Sequence, residues 1–161
     1  MNRKLGLPLI CIVIIILASH SIAEVDLTDI VENIYPAVVT VITFDKEKKP
    51  LGQGSGFFID ANGHLITNYH VLEGAYHAVA KTYDGKKYLI KSVIGENKEM
   101  DLIKVLADIP RSSVQWINVT GTLPSLAERV VVVGSPMGLE QTVSEGIVSG
   151  VRSIPDIGNI L

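Results

Sequence analysis

Residues 52–75 read G-Q-G-S-G-F-F-I-D-A-N-G-H-L-I-T-N-Y-H-V-L-E-G-A, and they hold the side chain best placed for chemistry, His70. Imidazole exchanges protons near neutral pH, so a histidine presented at the rim of a small sheet is suited to general-base work. An isolated histidine is more often an ordinary hairpin residue, so the weight falls on its surroundings. Gly52, Gly54 and Gly56 alternate through a strand-like run, leaving one face bare for close approach of another segment. Asn62-Gly63 is a two-residue hairpin signal, since both residues tolerate positive φ. The returning strand, Leu65-Ile66-Thr67, then delivers His70 at its end, before a short apolar turn closed by Gly74-Ala75.

The elements that must position it are short and mostly extended. Residues 25–35 predict an amphipathic helix, with Asp26 or Thr28 as cap, Leu27, Ile30, Val31 and Ile34 as apolar face, and Pro36 as stop. Residues 37–44 (A-V-V-T-V-I-T-F) form a first strand, and residues 45–50 a charged, solvated loop. Beyond the central hairpin, residues 76–83 and 86–94 predict strands about an Asp84-Gly85 turn. Residues 96–100 form a polar loop, and Asp101 opens a further strand, D-L-I-K-V. Six short strands with tight turns predict a small antiparallel barrel. Residues 106–126 are less regular, with Pro110 and Pro124, and read as a connection. Residues 128–134 and 141–152 begin a second β unit, whose apolar residues 130–133, Ile147 and Val148 are expected to be uncovered.

The first residues are not expected to belong to the fold. Arg3 and Lys4, an apolar run over residues 5–18, and small residues at Ser21 and Ala23 predict a secretory signal peptide over residues 1–23. Ile10 precedes Cys11 where a lipoprotein site needs a small residue, so no lipid anchor is expected. Cys11 is the single cysteine in the 161 residues, which leaves 24–161 without a disulfide, a thiolate ligand or a cysteine nucleophile. Arg3 and Lys4 are two of the 14 basic residues, so 12 remain against 17 acidic ones, a net −5. That balance disfavours nucleic acid as a partner. Asn118-Val119-Thr120 matches a glycosylation sequon, a coincidence beside a bacterial-looking leader.

G-x-G-S-G-F followed by T-N-x-H-V resembles the signature around the base of HtrA/Deg-type serine proteases. The block G-S-P-M-G-L over residues 134–139 and T-V-S-E-G-I-V-S over 142–149 are similar to the opening of that family's second barrel. The resemblance implies an all-β, trypsin-like double β-barrel with a short N-terminal helix, the first barrel complete and the second incomplete. It divides the chain into a leader at 1–23, a first barrel at 24–115 carrying His70 and Asp101, and a linker with a partial second barrel at 116–161. It implies a serine endopeptidase of the cell envelope acting on unfolded polypeptides, exported, without a cofactor or metal, and homo-oligomeric in a longer form. His70 matches the family's base and Asp101 the aspartate that orients it; Asp60, Asp84 and Asp108 sit in turns without a following apolar strand. The nucleophile of the family lies in a G-N-S-G-G motif, which is expected shortly beyond Leu161. Ser55 does not replace it, because G-x-S-x-G would need glycine at 53 and 57, where Gln53 and Phe57 stand; Ser135, Ser144 and Ser149 match turn or strand positions. The polypeptide by itself is therefore expected to be inactive. A non-catalytic binding or chaperone-like module on the same scaffold is the alternative.

Overall fold

The computed structural model describes residues 26–134, 142–154 and 158–160. The leader expected at 1–23 lies outside them, as does Ser135 with most of the 134–139 block. Helix α1 (Leu27–Ile34) starts as expected at Asp26, whose carboxylate accepts the amide of Thr28 at 2.9 Å. Leu27, Ile30, Val31 and Ile34 are half-buried on one face. A single 3₁₀ turn, Tyr35–Ala37, carries Pro36 and leads into the first strand.

Strands β1 (Val38–Phe44), β2 (Pro50–Phe58), β3 (His64–Asn68), β4 (His77–Lys81), β5 (Lys87–Asn97) and β6 (Leu102–Ala107) close into one antiparallel barrel, in the order β1-β2-β3-β6-β5-β4. Burial alternates with the strand period in β3, β4 and β6, so one side of each strand points into the barrel. Inside lie Val39, Val41, Phe58, Leu65, Ala80, Val105 and their neighbours, with Val114 from the segment after β6 added to them. Thr67 is also buried, and its hydroxyl donates to the carbonyl of Ser55 at 2.7 Å, tying β3 to β2. The amide of Ile117 donates to the carbonyl of Phe58 at 3.1 Å, so the chain leaving the barrel is pinned against it.

Three local expectations need correction. The β2–β3 connection is a four-residue turn over 60–63 rather than a two-residue one; Gly63 has φ 86 while Asn62 keeps a negative φ. The carboxylate of Asp60 accepts the amide of Asn62, and this selects the longer turn. His70 sits not on the strand end but on a one-turn helix, α2 (Tyr69–Leu72), that follows β3 directly. Strand β5 runs on through Glu96 and Asn97, expected in a loop, because these residues pair with Ile103 and Leu102 of β6. Pairing with a partner strand outweighs the polar composition there.

Beyond the barrel, β7 (Arg129–Gly134) and β8 (Thr142–Ile147) form a two-stranded sheet, and β9 (Arg152–Ile154) with β10 (Gly158–Ile160) another. Arg129 and Glu145 bridge β7 and β8 at 2.6 Å. Val132 and Ile147 are exposed as expected, whereas Val148 is buried, its backbone bonded to Ala127 and Glu128.

Candidate active site

The glycine run of β2 shapes the seat of α2. A β-carbon at position 54 would run into Cγ2 of Val71, and one at position 56 would lie 2.9 Å from the carbonyl oxygen of Ile66. Gly54 therefore lets α2 settle against the barrel, with Val71 inward and His70 outward, while Gly56 admits the backbone of β3. Gly52 is different, since its β-carbon would meet only ordinary contact.

The carboxylate of Asp101 meets His70 twice. One oxygen accepts the backbone amide of His70 at 2.9 Å, and the other lies 2.7 Å from Nδ1 of its ring. With Nδ1 donating, Nε2 carries the free lone pair and faces away from Asp101, the tautomer a general base requires. The His70 side chain is 68% exposed and that of Asp101 42%, so an incoming group can reach the ring. Asp101 is held below the usual carboxylate range, first by the backbone amide of His70, then by its ring, with the amide of Asn68 adding to them.

Backbone bonds fix both halves of the pair. The carbonyl of Asp101 accepts the amide of Tyr69 at 3.1 Å and the side-chain amide of Asn68 at 3.1 Å. The turn before Asp101 is closed by its own amide on Lys98, and Asn97 caps the amide of Met100 at 3.0 Å. Lys98 lies over the ring of Tyr69, 5.0 Å from its centre, and that neighbour raises its ammonium above the ordinary range.

A second His–Asp pair escaped the sequence reading. Nδ1 of His64 lies 2.6 Å from Asp60, and the same carboxylate accepts the amides of Asn62 and His64. Burial raises the Asp60 carboxyl, but these bonds outweigh it and hold the group below its usual range. This pair spans four residues of one turn, and its histidine is 25% exposed. It clasps a hairpin, whereas the His70 pair joins two elements 31 residues apart in the chain. Only the spacing of Asp60 and His64 was visible beforehand, and it has no meaning until the turn is known. Among the described residues no group of three or more metal-ligating side chains comes together.

Residues 54–159 match the model of the trypsin-like peptidase domain. The chain belongs to the trypsin-like peptidase family. Within it, the relatives are of HtrA type. Protease Do-like 1 of Arabidopsis thaliana chloroplasts is 34% identical over 111 residues, covering 68% of this chain and 25% of the relative. Serine protease HTRA1 of Xenopus laevis is 32% identical over 139 residues, covering 76% of this chain and 28% of the relative. Among solved structures, the HtrA-type protease AlgW with tripeptide superposes with a TM-score of 0.69 at 25% identity, over 81% of this chain and 42% of that one. The chain thus spans about a quarter of the length of these curated relatives. The trypsin-like fold expected from the sequence is borne out, with a closed first barrel followed by small two-stranded sheets.

Proposed function

We propose that this polypeptide supplies the base and the orienting acid of an HtrA-type serine endopeptidase. His70 removes the proton from a serine hydroxyl as it attacks a peptide carbonyl, and returns a proton to the leaving amine. Asp101 keeps Nδ1 protonated and stabilises the imidazolium that forms. The observation that carries this reading is the two-point grip of Asp101 on His70, at 2.9 and 2.7 Å, on a histidine otherwise open to solvent. A binding module would have no use for that arrangement.

The nucleophile belongs, in this reading, to a G-N-S-G-G loop outside residues 1–161. The ring of His70 bonds to Asp101 through Nδ1, which leaves Nε2 for a group brought by that loop. Substrates are polypeptides, as the protease names of the relatives suggest, and unfolded ones in particular if the resemblance to HtrA/Deg-type enzymes extends to them. The periplasmic endoprotease DegP-like of Hahella chejuensis, 35% identical over 104 residues, supports export to the cell envelope. Among the described residues no helix is long and apolar enough to cross a membrane.

The chain itself tests the division of labour. Purified residues 24–161 are expected neither to degrade casein nor to be labelled by a fluorophosphonate probe. Labelling that disappears in His70→Ala would show that a serine within the chain is activated, and would overturn the assignment of the nucleophile to a segment outside it.

A further inference from the structure

Four hairpins of the barrel use one kind of turn. In each, the amide of the fourth residue donates to the carbonyl of the first: Lys48 to Asp45 at 3.2 Å, Gly63 to Asp60 at 3.4 Å, Gly85 to Thr82 at 2.9 Å and Asp101 to Lys98 at 3.1 Å. In each, that fourth residue has left-handed backbone, with φ of 64, 86, 80 and 52. Glycine adopts this conformation freely, while a residue with a β-carbon gives up roughly 1–2 kcal/mol, least for Asn and Asp. The position where glycine is the cheapest choice is therefore where the β5–β6 hairpin carries Asp101. Lys48 meets the same cost at the β1–β2 turn, but at position 101 bonds from outside the turn are present to offset it.

Asp101 grips three consecutive residues: its carbonyl takes the Asn68 side chain and the Tyr69 amide, and its carboxylate takes the amide and ring of His70. Rotation of φ out of the left-handed well would swing carbonyl and carboxylate together away from this segment. Tyr69 can bond through its backbone whatever its side chain, but the bond from position 68 requires a side-chain donor of asparagine's length. We propose that Asn68 is a positioning residue of the site: its side-chain amide, bonded to the carbonyl of Asp101, holds that residue in the left-handed conformation from which the carboxylate reaches the backbone amide and the ring Nδ1 of His70. This gives the asparagine of T-N-x-H-V a physical task. The proposal rests on the reading of His70 and Asp101 as base and orienting acid, but its test does not depend on hydrolysis.

Nuclear magnetic resonance on the full chain tests it. In the unaltered protein, Asp101 should show the strong intraresidue amide–Hα Overhauser effect of a left-handed residue, and the His70 amide should follow the titration of the Asp101 carboxyl. In Asn68→Ala, the Asp101 carboxyl should titrate higher, towards the ordinary carboxylate range, with a weakened Overhauser effect, while the amides of Val39, Leu65 and Val105 keep their positions. Tyr69, His70, Glu73, Glu96, Lys98 and Glu99, the titratable groups on the helix, the end of β5 and the turn around Asp101, are unaltered in that comparison. An Asp101 titration and Overhauser effect unchanged by Asn68→Ala would overturn the proposal. Should the variant not fold, the side-chain amide protons of Asn68 in the unaltered chain decide instead. Slowed exchange supports the bond, and exchange at the rate of a free amide overturns it. Failure here would leave the His70–Asp101 reading standing, and failure of hydrolysis in a complete enzyme would leave Asn68 in its place.

Discussion

A β-carbon at position 54 would overlap the side chain of Val71, the residue next to His70. Gly54→Ala should therefore lower stability by about 1–3 kcal/mol, as overpacking does, and Val71→Ala should relieve most of that loss; urea unfolding of the two single variants and the double variant measures it. Acid stability depends on Asp101. Its folded carboxyl lies below the ordinary aspartate value of 3.8, held there first by the His70 amide, so its contribution is complete above that value and disappears as pH falls through the lower folded one. The stability difference between the unaltered chain and Asp101→Asn should accordingly be constant near neutral pH and vanish in strong acid, which denaturant titrations at a series of pH values would show. At the residue scale the meeting of His70 with Asp101 was legible, through the resemblance of the runs T-N-x-H-V and D-L-I-K-V that carry them. The role of Asn68 was not, since it depends on the carbonyl of a residue 33 positions away. The Asp60–His64 clasp was hidden for a related reason, the turn between them having been read two residues too short.

Hairpin glycines separate conformational cost from steric cost. Gly63 and Gly85 share positive φ, yet a β-carbon at 85 meets nothing within 4 Å, while one at 63 would lie 2.9 Å from both the carbonyl oxygen of Ala107 and Cγ2 of Ile109. Gly85→Ala should cost about 1 kcal/mol from backbone conformation alone. Gly63→Ala should cost clearly more, and equal losses in chemical denaturation would contradict the packing at that turn. Elements were legible where apolar and β-branched residues run together between turn signals: β1, β4 and β6 fall within a residue or two of their expected bounds, and α1 begins at the expected cap. The extension of β5 was not, because Glu96 and Asn97 become strand only through their partners on β6. Nor was α2, whose single turn of four residues is too short to show a helical period.

Across the whole molecule, one closed barrel holds both members of the His–Asp pair, on segments that meet because β3 and β6 are neighbours. Register makes the meeting close: Asn68 pairs with Leu102, which sets Tyr69 and His70 beside Asp101. Phe58 is fully buried in the same barrel, and Phe58→Ala should cost about 3–5 kcal/mol, with loss of the His70–Asp101 arrangement if the barrel opens. The closed barrel could be anticipated from six short alternating strands, whereas the cover over Val148 could not, since it comes from backbone bonds to Ala127 and Glu128. The proposed role of His70, oriented by Asp101, is that of a general base awaiting a serine. It is tested most directly by joining a segment bearing G-N-S-G-G after Leu161 and measuring hydrolysis of unfolded casein. The extended protein should show a peptidase activity that His70→Ala abolishes and Asp101→Asn lowers by about 10⁴. A folded, extended protein that cleaves nothing, or one whose cleavage survives His70→Ala, would contradict it.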